Sequence, residues 1–294
     1  MASYTPQQLE QAYAHCQRIV RNHYENFPVA SRILPRHLRR PISAIYAFAR
    51  TADDFADEGH WDAETRLTKL QHYDKQLEAI AYGDMVSEPV FIALADSIVR
   101  FGLPIQLFHD LLSAFTQDVT KNRYANLQEI WKYCRFSANP IGRLLLHLIK
   151  ADSPQNLQHS DAICSALQLI NFLQDIEQDL QENARIYLPQ DLMHHYGVSE
   201  EQLRQQANSA GLRQLVQELI HAAREKMLYG KPLGQAVRGR FGFQLRLMIN
   251  GGLRVLELLE QQQESVFTRP RLKPGDWLWM LRHSLWGYLD ERMP

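Results

Sequence analysis

The chain has 294 residues, 45% of them hydrophobic and 22% charged, with a formal net charge of −1. This composition excludes a disordered chain, and the near-zero charge excludes a partner recognised through a broad basic surface, such as nucleic acid. Three widely spaced cysteines, Cys16, Cys134 and Cys164, form no CxxC pair and suit a reduced compartment.

Helix signals run the length of the chain. Thr5-Pro6 reads as a cap with proline at the first helical position, opening a helix to about Tyr24. A second helix starts near Pro35 and carries Ile42 to Asp57. Asp62 caps a third, ending near Gly83, and Pro89 and Pro104 begin two more. Asn126 with Glu129 has capping-box spacing ahead of a helix through Ile130 to Ile149. A long apolar helix is expected from Asp152 to Leu180. Ser199 with Gln202 looks like another box, and helices follow over Asn208 to Tyr229, Gln244 to Gln263 and Lys273 to Glu291. Gly230 to Gly242 reads as a loop. Period-2 strands, internal repeats and low-complexity linkers are missing, so we expect one all-α domain over residues 1–294. There is no basic-then-apolar leader and no run of about 18 apolar residues, so neither a signal peptide nor a spanning helix is expected.

Two acidic helix faces carry the chemistry. In Arg50-Thr51-Ala52-Asp53-Asp54-Phe55-Ala56-Asp57, the spacings 53/57 and 54/57 put three carboxylates on one face. They follow a small, apolar stretch, Ile42 to Ala49, that should be buried. Gln168, Asn171, Asp175 and Asp179 form a second polar stripe among Leu167, Leu169, Ile170, Phe172, Leu173 and Ile176. A buried stripe of this kind needs partners. Carboxylates on two facing helices suit Mg²⁺, a hard ion held by one or two carboxylates plus substrate phosphate, which would make a diphosphate a leaving group. The plain alternative for each motif is a solvated helix face. Arg50, Lys121, Arg123 and Arg185 could meet a diphosphate, arginine doing so in bidentate fashion; the plain alternative for Arg50 is a helix ion pair with Asp54, and for Lys121 a surface position.

These residues resemble the squalene/phytoene synthase family along nearly the whole chain. The resemblance rests on Tyr46-Ala47-Phe48-Ala49-Arg50 followed by Asp53 and Asp57, on Arg123-Tyr124, on Tyr133-Cys134, and on Gln168, Asn171, Asp175 and Asp179 followed by Arg185, Tyr187 and Pro189. It implies a single isoprenoid-synthase helical domain with a central cavity. Metal ligands would be Asp53, Asp54, Asp57, Asn171, Asp175 and Asp179. Arg50, Lys121, Arg123, Arg185 and Gln168 would serve the diphosphate, Gln168 also supporting the second metal site. Phe27, Phe136, Gly142 and Tyr187 would line the cavity, and Tyr46, Tyr133, Asn139 and Phe172 would act on the reacting carbons or the attacking water.

Within the family, three segments are most similar to the members of bacterial hopanoid synthesis that hydrate presqualene diphosphate. They are His23-Tyr24-Glu25-Asn26-Phe27, the stretch Tyr133 to Arg143, and Asp53 to Asp57 ending in Glu58-Gly59. The implied reaction is presqualene diphosphate plus water giving hydroxysqualene and diphosphate, with Mg²⁺ and without NADPH. The resemblance also implies a bacterial cytoplasmic setting and contact with other enzymes of the pathway. Two alternatives stand beside it: a synthase condensing two prenyl diphosphates head to head to squalene, presqualene diphosphate or phytoene, and a non-catalytic helical assembly factor. Finally, Trp277, Trp279, Trp286 and Tyr288, with Lys273, Arg282 and Arg292 nearby, suggest peripheral contact with the inner membrane, a packed core helix being the alternative.

Overall fold

The computed structural model describes residues 4–22, 35–262 and 265–286. Among these residues every regular element is a helix: α1 (Pro6–Asn22), α2 (Arg36–Asp57), α3 (Ala63–Tyr82), α4 (Pro89–Phe101), α5 (Gln106–Thr120), α6 (Leu127–Ser137), α7 (Asn139–Leu148), α8 (Pro154–Gln174), α9 (Ile176–Asn183), α10 (Gln190–His195), α11 (Glu200–Arg204), α12 (Ala210–Gly230), α13 (Leu233–Ala236), α14 (Gly239–Gln261) and α15 (Pro274–Trp286). The all-α expectation therefore holds. Phe27 lies outside the described residues, as do His23 to Asn26, Tyr288 and Arg292.

Local chemistry explains most boundaries. Asp62 accepts from the Thr65 amide at 2.8 Å, Asn126 from Glu129 at 3.0 Å and Ser199 from Gln202 at 3.2 Å, each satisfying an orphan donor of a first turn. Gly83 ends α3 with φ of 83°, a left-handed conformation that glycine adopts without a Cβ clash. Two expected helices are broken. The helix expected over Ile130 to Ile149 divides at Ala138, because Pro140 has no amide to donate back to Phe136 and its ring crowds that carbonyl. The helix expected over Asp152 to Leu180 divides at Asp175, whose φ of −112° and ψ of 20° leave the helical region. Hydrogen bonds run on across this kink, Asp175 N to Asn171 O at 2.9 Å and Asp179 N to Asp175 O at 2.8 Å. The loop expected over Gly230 to Gly242 holds the short α13 and the first turn of α14.

The chain forms two compact units. The first comprises residues 1–121 and 140–153. Here α2 packs against α1, α3, α4 and α5. Its core is aromatic: Phe48 of α2 meets Tyr73 at 5.6 Å, Phe91 at 6.0 Å and Phe108 at 5.4 Å between ring centroids. Burying Phe48, Phe91 and Phe108 completely, each worth roughly 2–3 kcal/mol, fixes the rotation of α2 about its axis. The second unit comprises residues 122–139 and 154–294, built on the pairing of α8 with α12, with α6 and α14 also on α8. Close approach is enforced by glycine: a Cβ on Gly230 would stand 2.6 Å from the His159 carbonyl, and one on Gly252 would stand 2.7 Å from Met227 Cε.

Candidate active site

In the first unit the apolar face of α2 is seated in the aromatic core, which turns Arg50, Asp53, Asp54 and Asp57 away from it. Arg50 Nε lies 2.7 Å from Asp54 Oδ1 and Nη1 lies 3.4 Å from Asp53 Oδ2, and its other end pairs with Glu58. The plain alternative for Arg50, an ion pair with Asp54, is thus present, widened to three carboxylates. The Asp53 carboxyl is pushed up to about 7, chiefly by desolvation, then by repulsion from Asp57, with further repulsion from the buried Asp118 of α5 and from Asp54, and with Arg50 opposing. Its side chain is still 37% exposed, so this is a crowded carboxyl that solvent reaches. Tyr46 sits half-buried one turn before Arg50, and Lys121 follows the last turn of α5. Gly142, on α7, is buried.

Sequence reasoning missed Arg66, which holds the acidic end of α2 in place. Its guanidinium donates to the carbonyls of Phe55 at 3.1 Å, Gly59 at 3.0 Å and Trp61 at 3.1 Å. One fork thereby ties down the turn that follows Asp57. The signal available was only an arginine nine residues past Asp57, which does not distinguish a clamp from a surface charge.

In the second unit the polar stripe bends with the kink at Asp175. Gln168 and Asn171 are half-buried on α8, and Asp179 lies in the first turn of α9. The Asp175 carboxyl is raised above the usual range, first by desolvation and then by Glu182, with Arg269 opposing. Arg269 Nε lies 3.2 Å from Asp175 Oδ1 without hydrogen-bond alignment, so that buried oxygen accepts no hydrogen bond. Arg269 is a second residue the sequence did not point to; 94 positions and no pattern separate it from Asp175.

The segments 122–125 and 185–191 run side by side. Ile186 N donates to Asn122 O at 3.0 Å, and Gln190 N to Tyr124 O at 2.9 Å. Arg185, buried, is anchored through its amide to Asp179 O at 3.0 Å. This pairing brings Tyr187 onto Phe172, with Tyr133 6.1 Å from Phe172 and 6.0 Å from Tyr187, and Tyr124 5.4 Å from Tyr187. Tyr133, Phe172 and Tyr187, named separately from sequence, thus form one aromatic wall. Phe136 is partly exposed, with the Arg135 guanidinium 5.7 Å from its ring. Arg123 is engaged elsewhere: it holds Glu200 in a bidentate pair at 2.7 and 2.8 Å and donates to Asn122 O and Ala184 O. Asn139, buried at the α6–α7 break, reaches Asp161 O at 3.1 Å, Ser165 Oγ at 3.0 Å and Cys134 O at 3.2 Å with its amide nitrogen turned toward them.

The donor sets suit a hard divalent cation. Their donors are carboxylate and amide oxygens, partly desolvated; a cation at the first set would relieve the repulsion around Asp53, and one at the second would take up the Asp175 oxygen that accepts no hydrogen bond. Among the described residues no group of three or more His, Cys, Asp or Glu is close enough to hold an ion unaided.

Comparison with known proteins identifies the scaffold. The squalene/phytoene synthase family profile matches residues 20–277. A hydroxysqualene synthase from Rhodopseudomonas palustris is 37% identical over 252 residues, 85% of this chain and 84% of that protein. Among solved structures, the squalene synthase HpnC from Alicyclobacillus acidocaldarius superimposes with a TM-score of 0.82 at 33% identity, over 90% of this chain and 98% of that one. A dehydrosqualene synthase in complex with ligand has a TM-score of 0.84 over 97% of this chain and 99% of that one; at 22% identity it speaks for the helical fold alone.

Proposed function

The chain belongs to the squalene/phytoene synthase family, whose members process prenyl diphosphates, and from that premise we propose that it converts presqualene diphosphate and water to hydroxysqualene and diphosphate. The observation that carries this choice is the 37% identity, sustained over 84% of its length, to a hydroxysqualene synthase. The crowded, partly desolvated carboxyls of Asp53 and Asp175 support the diphosphate chemistry that precedes water capture.

In this reading Asp53, Asp57, Asp175 and Asp179, with Asp54 and Asn171 beside them, hold Mg²⁺, and Gln168 supports the second group. When bound, Mg²⁺ supplies the positive charge that makes diphosphate a good leaving group. The chain's own residues do the rest. Arg50 and Arg185 bind the diphosphate oxygens, Lys121 adds a point charge, and the electron pair of the breaking C–O bond leaves with the diphosphate. Arg50 and Arg123 both start engaged: a diphosphate would have to compete with Asp53, Asp54 and Glu58 for the one and displace Glu200 from the other. The cyclopropylcarbinyl cation left behind rearranges against the ring faces of Tyr133 and Phe172, with Phe136 and Tyr187 beside them excluding bulk water. Tyr133 and Asn139 orient the water that forms the new C–O bond, and its proton passes to solvent or to the released diphosphate. No electrons are gained or lost overall, so the reading needs no NADPH.

The test is product analysis with presqualene diphosphate and Mg²⁺ and no reductant. Hydroxysqualene is the expected product. If farnesyl diphosphate alone yields presqualene diphosphate, the enzyme is a head-to-head condensing synthase and the proposal fails. If alanine at Asp53 leaves biological function intact, the chain is an assembly factor and the proposal fails as well.

A further inference from the structure

Helix α15 is built inside out. Its inward stripe is Asp276, Met280 and Ser284, all buried against α14. Asp276 pairs with Arg254 Nε at 2.7 Å and accepts from the Lys273 amide at 2.7 Å, capping the helix. Ser284 accepts from Asn250 Nδ2 at 2.9 Å through its hydroxyl and from Arg246 Nε at 2.9 Å through its carbonyl. Met280 is the apolar member of this stripe, resting where Gly251 leaves room for it. The outward arc is the reverse: Trp277, Leu278, Leu281 and Leu285 are 47%, 70%, 41% and 52% exposed. At 100° per residue these four span one contiguous third of the helix surface, bordered by Arg282. A helix that docks through hydrogen bonds and turns four large apolar groups to solvent needs an apolar medium on that side.

We infer that α15 lies flat on an anionic lipid bilayer, with Trp277, Leu278, Leu281 and Leu285 entering the boundary between headgroups and acyl chains. Charge selects this occupant. Residues 265–286 carry Arg271, Lys273 and Arg282, besides Arg269 which is turned to Asp175, against one acid, Asp276, which is buried and paired inward, in a chain whose overall charge is −1. A two-fold contact with a second copy would press this patch against itself and bring the cations of both copies together. An anionic bilayer meets both features: the apolar arc is buried and the flanking cations face the headgroups. The thirteen-residue helix, about 20 Å long, is an interfacial element, and among the described residues no helix is long and apolar enough to cross a membrane.

The test is co-sedimentation of the full chain with vesicles of phosphatidylcholine containing about one-third phosphatidylglycerol, and with pure phosphatidylcholine vesicles. The wild type pellets with the anionic vesicles and at least ten-fold less with the neutral ones. L278E/L285E removes the apolar arc and R271E/K273E reverses two exposed charges; each lowers anionic-vesicle partitioning at least ten-fold. Wild type that stays in the supernatant with both compositions overturns the inference, as does partitioning that neither variant changes. So does a wild-type dimer in sedimentation velocity that L278E/L285E converts to monomer in the absence of vesicle binding. Turnover of detergent-dispersed substrate is a separate readout that both variants keep, so failure of vesicle binding and failure of the proposed reaction are told apart.

Discussion

The rings of Phe172 and Tyr187 lie face to face, with centroids 3.6 Å apart and planes within 5° of parallel. Such full overlap is the arrangement that ring quadrupoles favour least, offset or edge contacts being preferred. It is held here by the pairing of segment 185–191 with 122–125 and by Tyr133 and Tyr124 packed around it. A positive charge over the outer face of either ring would be attracted by that ring's quadrupole, which is what a carbocation needs from its surroundings.

Replacing Phe172 by leucine therefore separates ring electrons from bulk. The apolar volume stays close to the original, while the cation–π attraction, about 1–2 kcal/mol, is lost. We expect kcat on presqualene diphosphate to fall roughly five- to thirty-fold with KM within about two-fold. An unchanged kcat in steady-state assays would make Phe172 a packing residue only.

Arg66 should control how firmly metal is held. Its three hydrogen bonds fix the turn after Asp57, so Arg66→Ala frees the end of the helix bearing the carboxylates. We expect the Mg²⁺ concentration for half-maximal activity to rise roughly three- to ten-fold, with kcat at saturating Mg²⁺ mostly retained, as for lost preorganisation rather than lost chemistry. Titration of activity against Mg²⁺ for both proteins checks this; a fall in kcat at unchanged Mg²⁺ requirement contradicts it.

The first acidic cluster should cost the protein stability at neutral pH. Asp53 ionises at about 7 in the fold against an ordinary value of 3.8. Between these values the native state holds a proton that the unfolded chain has lost, so this group's contribution to stability falls as pH rises through that window and is constant above it. Asp53→Asn removes the contribution. It should stabilise the protein at pH 8 by on the order of 1 kcal/mol, the exposure of the side chain keeping the gain small, and do nothing near pH 3. Mg²⁺ should raise the wild-type Tm at pH 8 and leave that of D53N where it is. Thermal melts with and without Mg²⁺ at both pH values decide it.

The helices and their caps were legible because they are written within four residues: Asp62, Asn126 and Ser199 each serve an amide three positions on. The acidic faces were legible for the same reason. The kink at Asp175 was not, since no proline or glycine marks it and the hydrogen-bond ladder runs through it. Nor was the division of the arginines. Arg50, Arg66, Arg123 and Arg269 look alike in sequence. One crowds three carboxylates on its own helix, one clamps carbonyls, one holds Glu200 from 77 positions away, and one approaches Asp175 from 94 positions away. Which cation meets which acid over such distances is decided by packing, and local pattern carries no trace of it.

The proposed reaction requires both carboxylate groups to act on one diphosphate, and a double-mutant cycle tests that requirement. Asp175→Ala removes the buried oxygen that accepts no hydrogen bond and ends its repulsion with Glu182, so the fold should survive, with Tm within about 3 °C of wild type. Turnover should drop at least about a hundred-fold, the scale of losing one charge-stabilising group from an active site. Asp53→Ala should do the same. If the two carboxylates share one bound cluster of ions and phosphate, either loss already disables it, and D53A/D175A should be barely slower than either single variant. Multiplicative losses, each about a hundred-fold, would mean that the two groups act independently, and the shared-diphosphate mechanism would have to be abandoned.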